Sequence, residues 1–402
     1  MDQTVEKSSA LGWRRLLPPM VLIALVMAGN GLVAPILSLY ALKFGVSGVL
    51  VGMLITIFGI GRLLANLPAG ILSDRYGRRL FICLGPAIIA VGAVGAALST
   101  TFVMLVGWRF VQGVGSGIYM TVSGTVLMQL SRPGERGRIM ALYQGSLLLG
   151  GGIGPGVGGF LAEHFGFAAP FWALFVVAVA ALAFALTTFV EPPAAEHPGG
   201  KPKMASSLGS LLRLAPYLLL CVITFGVFFT RTASMWVLIP LVAHESFGLS
   251  VDIIGAALSV SALANFAMLP IAGPAIDRLG SRPITIASPI LTGLGLAILG
   301  LTTGVAWFWV AIVILGIGNS FGGQSVGAAM AEIVPSNLYG PAMGLQRMIG
   351  DAAFVAGPIV VGLLSDIAWI GNTGGLIANA LLMIGAGAIF AIGSRRASAR
   401  TT

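Results

Sequence analysis

The sequence predicts an all-α integral membrane protein, with twelve transmembrane helices in two pseudo-symmetric six-helix bundles, and three observations carry that expectation. Only 9% of the 402 residues are Asp, Glu, Lys or Arg while 57% are hydrophobic, so the chain cannot build a water-facing surface. The apolar residues gather in runs of roughly 20 residues or more, the length that crosses the hydrocarbon of a bilayer. The two sides of the chain also repeat one another at a single spacing.

The first apolar run extends from about residue 16 to 40, behind a polar start that carries Lys7, Arg14 and Arg15. It is too long for a signal-peptide core and is read as a span. Runs near 49–72, 80–99, 102–130, 139–162 and 168–190 complete a first set of six. A second set lies near 215–243, 252–273, 283–302, 304–333, 342–365 and 373–394. The only long polar stretch separates them, with Pro192, Pro193, Pro198, Lys201 and Lys203. The expected organisation is therefore a first bundle over 1–190, a cytoplasmic linker over 191–214 and a second bundle over 215–402.

Placing the N-terminus in the cytoplasm makes every second loop cytoplasmic. Of the 22 Lys and Arg, seventeen then fall inside, among them Arg132, Arg136, Arg138, Lys201, Lys203, Arg395, Arg396 and Arg400. Only Lys43 falls outside, and Arg62, Arg109, Arg231 and Arg347 lie within spans. The net charge of +9 thus reads as an orientation label for a multi-pass protein of the inner (plasma) membrane with both termini cytoplasmic, and requires no nucleic-acid partner. The 57 glycines, roughly twice the usual share, suit close helix packing in lipid. Cys83 and Cys221 are far apart in apolar runs and imply no disulfide framework.

The repeat runs at an offset of 203. Gly70-Ile71-Leu72-Ser73-Asp74-Arg75-Tyr76-Gly77-Arg78-Arg79 recurs as Gly273-Pro274-Ala275-Ile276-Asp277-Arg278-Leu279-Gly280-Ser281-Arg282. Phe44-Gly45 recurs as Phe247-Gly248, Gly113-Val114-Gly115 as Gly316-Ile317-Gly318, and Gly154-Pro155 as Gly357-Pro358. A duplicated six-helix unit follows. Gly77 supplies a tight turn, and Asp74 at a helix end can pair with Arg78 or accept from a neighbouring helix N-terminus.

This loop resembles the signature loop of the major facilitator superfamily. The resemblance implies the major facilitator fold, and a conformational latch formed by Gly70, Asp74, Arg75, Gly77, Arg78, Arg79 and their repeats Asp277, Arg278, Gly280 and Arg282. Arg109-x-x-Gln112-Gly113-x-Gly115 resembles a second family signature, associated with proton-coupled members. Arg109 either perturbs a nearby titrating carboxyl group or contacts substrate, or is a structural cation bonded to carbonyls. Gly150-x-x-x-Gly154-Pro155-x-x-Gly158-Gly159 resembles the motif that marks antiporters, chiefly drug exporters. Its glycines at every fourth position share one helix face, and Pro155 favours a bend.

Two look-alikes carry no chemistry. Gly154-x-Gly156-x-x-Gly159 satisfies a dinucleotide fingerprint but lies inside an apolar span, and Gly318-Asn319-Ser320-Phe321-Gly322 imitates a nucleophile elbow. No P-loop, cofactor site or metal site is expected, and the chain is not read as an enzyme. An ion gradient is the expected energy source.

Proton coupling needs a carboxyl group or histidine reachable from both sides. The other acids, Glu163 and Asp366 included, read as tail, linker, loop or helix-end residues, leaving Asp351 alone at depth with Arg347 one turn before it on the same face. Asp351 is either the proton carrier or a structural partner of Arg347. Span one lacks the acid that many exporters of cationic drugs carry and offers Asn30 instead. The cation excess favours neutral, zwitterionic or anionic solutes. Asn30, Arg62, Gln112, Arg231, Trp236, Asn265, Gln324 and Arg347 are the expected lining, although each could instead bond between helices. The resemblance implies a secondary active transporter, a monomer that exports small organic molecules in exchange for protons in the manner of multidrug efflux. The alternative is a metabolite or organic-anion carrier working by symport, uniport or exchange.

Overall fold

The computed structural model describes residues 2–130, 136–189, 191, 209–335, 338–367 and 370–398. Arg132, Lys201, Lys203, Arg400 and all but the ends of the expected linker lie outside the described residues, as do the side chains of Lys7, Arg14, Arg15, Arg136, Arg138, Arg395 and Arg396. The described residues form helices and turns without strands. Span one is Asp2–Val33, continued through the 3-10 turn Ala34–Ile36 and the helix Leu37–Leu42. Spans two to six are Val49–Tyr76, Arg78–Ala97, Phe102–Leu130, Arg136–Phe165 and Ala169–Thr188. Span seven is built from Ala215–Phe229, Thr230–Leu238 and Ile239–Glu245. Spans eight to twelve are Val251–Leu279, Ser281–Leu301, Val305–Ile333, Tyr339–Asp366 and Gly371–Ser398. Eleven of these segments are long and apolar enough to cross a membrane. The other, span four, is 29 residues long and is made less apolar by Arg109 and Gln112.

The chain divides into two compact units. The first comprises Met1–Ile36, Ile57–His197 and Val251–Ala256, and the second Leu37–Thr56, Pro198–Ser250 and Ala257–Thr402. In the first unit span one packs on spans five and six, and span three on spans four and six. In the second unit span seven packs on spans eleven and twelve, and span nine on spans ten and twelve. Each pairing in one unit thus has its counterpart six spans later in the other.

The repeat extends to individual contacts. A Cβ on Gly115 would meet Gly85 and Ile89, and one on Gly318 would meet Thr292, which is Ile89 shifted by 203 positions. A Cβ on Gly113 would strike the carbonyl of Phe58, and one on Gly316 the carbonyl of Ser261, again at that offset. Small residues at these places let backbones meet, which in lipid replaces the hydrophobic drive that joins helices in water. Between spans two and three, and between eight and nine, the chain turns on Gly77 (φ 93°) and Gly280 (φ 84°). A side chain would be strained at either position, so both signature loops need glycine there.

Two carboxylates expected near loops have structural work to do at helix ends. Glu163, in the last turn of span five, accepts a 3.0 Å hydrogen bond from the backbone N–H of Val251 at the start of span eight. Asp366, the last residue of span eleven, accepts a 3.1 Å bond from the N–H of Val49 at the start of span two. They stand 203 positions apart, and each satisfies one of the donors that a helix start leaves open.

Candidate functional site

Span seven leaves α geometry over Thr230–Leu238, where nine residues wind as a π-helix. Such segments shift the angular positions of the side chains that follow, and they concentrate at functional sites. The stretch is polar for a span, and span twelve holds it in place. Asn379 donates from Nδ2 to Ser234 Oγ at 2.6 Å and accepts from the Thr230 hydroxyl at 3.2 Å, with all three side chains buried. Thr232 folds its hydroxyl back to the Phe228 carbonyl at 3.1 Å. With Thr230, Thr232 and Ser234 buried, Arg231 is exposed and Met235 and Trp236 are half-buried.

The Arg231 guanidinium lies 5.8 Å from the centre of the Trp236 ring, within the range of a cation–π contact. Trp236 in turn meets Phe354 of span eleven edge to face, with ring centres 5.4 Å apart. Met235 accepts from the Asn319 amide of span ten at 3.6 Å. On span eleven, Arg347 Nε stands 3.4 Å from Asp351 Oδ2, and their side chains are 51% and 8% exposed. Phe228 fills the space beside Gly350, where a Cβ would lie 3.0 Å from its ring. Arg231 thus falls between two contacts, Phe228 with Gly350 and Trp236 with Phe354, that put it at the level of Asp351 in the second unit. That level is near the middle of both segments, the 31 residues of Ala215–Glu245 and the 26 of Pro341–Asp366. Charges there are costly unless they face a bundle interior or a water-filled cavity.

The first unit treats its central arginine differently. Arg109 is 4% exposed, donates to Gln112 Oε1 at 2.7 Å and lies 4.4 Å from the centre of the Phe58 ring. Gln112 is 1% exposed and donates onward to the carbonyl of Gly92 in span three at 2.9 Å. These bonds join spans three and four, and they correct the expectation that Gln112 lines an open site. The four arginines that lie within spans also differ in exposure. Arg109 is buried, Arg62 is half-buried, and Arg231 and Arg347 are exposed. Asn30, Asn265 and Gln324 are half-buried. Among the described residues no three of His, Cys, Asp and Glu gather as metal ligands.

The signature loop is tied through Arg78. Its guanidinium bonds Asp74 Oδ1 at 2.8 Å and Gln129 Oε1 of span four, while its backbone N–H donates to Glu191 at 2.6 Å. Arg79 reaches the Leu186 carbonyl at 2.9 Å. In the second unit Ser281, the repeat of Arg78, donates to Glu332 at 2.6 Å, and Arg282 reaches the Ala391 carbonyl at 3.4 Å. The arrangement survives the change of residue type, and both loops stay fastened to spans four or ten and six or twelve.

In span five, Gly150, Gly154 and Gly158 press on the backbone of span one. Side chains there would strike Ala24, Gly31 and Leu32, with Gly31 only 2.6 Å from a Cβ on Gly154. Gly159 faces the start of span eight, where the Val251 carbonyl would lie 2.6 Å from its Cβ. The stretch Thr230 to Ser234, three hydroxyl side chains in five residues of an apolar span, is the signal that could have pointed to the π-helix. Phe354 and Asn379 offered none, since each reads as ordinary span composition.

Comparison with known proteins agrees with this architecture. The family model described as Major Facilitator Superfamily matches residues 20–237 and, again, 220–401. The uncharacterized MFS-type transporter MJ1560 of Methanocaldococcus jannaschii is 24% identical over 353 residues, covering 86% of this chain and 90% of that protein. The quinolone resistance protein NorA of Staphylococcus aureus is 26% identical over 209 residues, covering 51% of this chain and 53% of that protein. Among solved structures, a D-xylose-proton symporter superposes with a TM-score of 0.74 at 16% identity, covering 94% of this chain and 97% of that one, which speaks to the fold alone.

Proposed function

Because the chain belongs to the major facilitator superfamily, we propose that this multi-pass membrane transporter is a proton-coupled antiporter exporting small organic molecules by alternating access. The observation that carries the reading is the Arg347–Asp351 pair, a largely buried carboxylate 3.4 Å from an exposed guanidinium near the middle of span eleven. Exchange requires that solute and proton compete for one group. A solute that donates a hydrogen bond to the ionised Asp351 carboxylate is displaced when Asp351 takes a proton, and loss of that proton restores both the ion pair with Arg347 and the acceptor for solute. That competition exchanges one for the other. The packing of Gly150, Gly154 and Gly158 on span one supports the resemblance to antiporters, as does the likeness to a quinolone resistance protein over half of the chain. The charge distribution supports cytoplasmic termini in a plasma membrane. The candidate lining retains Asn30, Arg62, Asn265 and Gln324 beside the second-unit cluster, and a monomer suffices for the cycle.

The test uses inverted vesicles energised to be acid inside. Adding an exported solute should alkalinise the interior, and Asp351→Asn should abolish that response while solute exchange continues. Gradient-driven movement that persists in Asp351→Asn removes Asp351 from the mechanism. Solute movement without proton movement in the unaltered chain favours the second reading, a metabolite or organic-anion carrier, which the excess of intramembrane arginines supports.

A further inference from the structure

We propose that the substrate recognised by the second unit is an amphipathic aromatic anion, a flat ring system bearing one carboxylate, with Arg231 taking the acid group and Trp236 seating the ring. The inference rests on the transport reading, since it names what that site would carry.

Three features select this chemistry. Arg231 presents an exposed guanidinium at mid-span, and a planar fork of N–H donors is matched by a carboxylate better than by a hydroxyl or amide. Arg231 and Trp236 also stand together, the guanidinium 5.8 Å from the indole ring centre. Trp236 is half-buried and is braced by Phe354, 4% exposed, at 5.4 Å with an interplanar angle of 85°. The uncovered part of a braced indole gives a flat ring something to stack on or meet edge-on. An acid group and a ring held side by side in one molecule would meet the guanidinium and the indole together.

The third feature is that the scaffold does not require these side chains. Gly113, Gly115 and Gly154 recur at the offset of 203, whereas Arg231 falls on Ala28, Phe354 on Gly151 and Asp351 on Leu148. The π-helix that brings Arg231 and Trp236 to one surface occurs in span seven and not in span one. A lipophilic cation would meet Arg231 and Arg347 with like charge, and Asp351 is engaged with Arg347 at 3.4 Å.

The proposal is tested on the purified full-length chain, without a gradient, by calorimetric titration with three probes of one shape: naphthoate, naphthylmethanol and naphthylmethylammonium. Naphthoate should bind at least about tenfold more tightly than either of the others, the size of one charge-assisted contact. Arg231→Gln should bring naphthoate down to the alcohol's affinity and leave the alcohol unchanged, and Arg231→Lys should keep part of the preference. Trp236→Leu should weaken naphthoate by about three- to tenfold while leaving decalin carboxylate, an acid without a flat ring, within twofold. Tighter binding of the ammonium probe, an acid-to-alcohol ratio untouched by Arg231→Gln, or no binding of any probe overturns the assignment. The outcomes separate this proposal from the antiport reading. Naphthoate that binds and crosses the membrane without moving protons sinks antiport alone, and proton-driven export confined to the ammonium probe sinks the substrate class alone.

Discussion

Arg109 and Arg347 are both arginines at hydrocarbon depth, one in each unit, and their surroundings differ in almost every respect. Arg109 is 4% exposed, held by Gln112 at 2.7 Å and covered by the Phe58 ring. The Arg347 side chain is 51% exposed and shares its charge with a single carboxylate one turn away. At the repeat offset, Arg109 corresponds to Ile312 and Gln112 to Leu315, both apolar, and Asp351 corresponds to Leu148. Neither polar group is part of the duplicated scaffold. Each was fitted into one unit only, as an internal brace between spans three and four in the first and as an accessible charge in the second. An intramembrane charge therefore says little until its exposure is known, because the same cost of burial can be offset by internal partners or by access to water and ligand.

Five substitutions test that contrast, in decreasing order of expected effect on stability. Gly158→Leu should be the most damaging, by about 3 kcal/mol or more, because the obstacle is the Leu32 backbone, which cannot rotate away. The matching residue of span eleven, Val361, is 1% exposed, so that seam accommodates a branched side chain where the seam between spans one and five does not. A Gly158→Leu protein that melts with the unaltered one in detergent would break the comparison at its base. Arg109→Met should cost about 2–4 kcal/mol by removing a cation–π contact and leaving Gln112 Oε1 without its donor. An unchanged melting temperature there, together with altered proton coupling, would move Arg109 from brace to mechanism.

The helix-end carboxylates come next. Glu163→Gln and Asp366→Asn should each lower stability by about 1 kcal/mol, and the pair additively, since each acts on its own helix start. A double variant that loses much more than the sum would couple the two. The smallest change is expected for Arg231→Gln, within about 0.5 kcal/mol, because the side chain is exposed. Its effect should appear in ligand discrimination instead. A large fall in melting temperature would make Arg231 a second brace and erase the contrast between the units.

Much of the architecture was legible because lipid imposes simple rules. A span must be long and apolar, cytoplasmic loops attract Lys and Arg, and backbones meet where residues are small. Those rules located the spans to within several residues at their ends, save that the first helix begins already at Asp2, and the contacts of Gly113 with Phe58 and Gly316 with Ser261 fall at the same offset of 203. The site was legible only in its residue types. Arg231, Trp236, Arg347 and Asp351 stand out in apolar runs, but spacing along a helix does not tell whether a polar side chain bonds inside its unit or opens to water. Gln112 shows the ambiguity, reading like Gln324 in sequence yet spending both ends of its amide on Arg109 and Gly92. Glu163 and Asp366 were passed over because a carboxylate near a loop is ordinary, although their separation equals the repeat offset.

By itself the sequence determined membrane residence, the order of spans, the duplication and the places where only glycine fits, since each depends on local composition or on a repeated pattern. Only the tertiary structure decided which arginine is sealed and which is open, that span seven unwinds into a π-helix, and that Trp236 meets Phe354. Those outcomes depend on neighbours from other spans, as with Phe58 over Arg109 and with Asn379 bonding Ser234 across 145 positions, which no local window along the chain brings together.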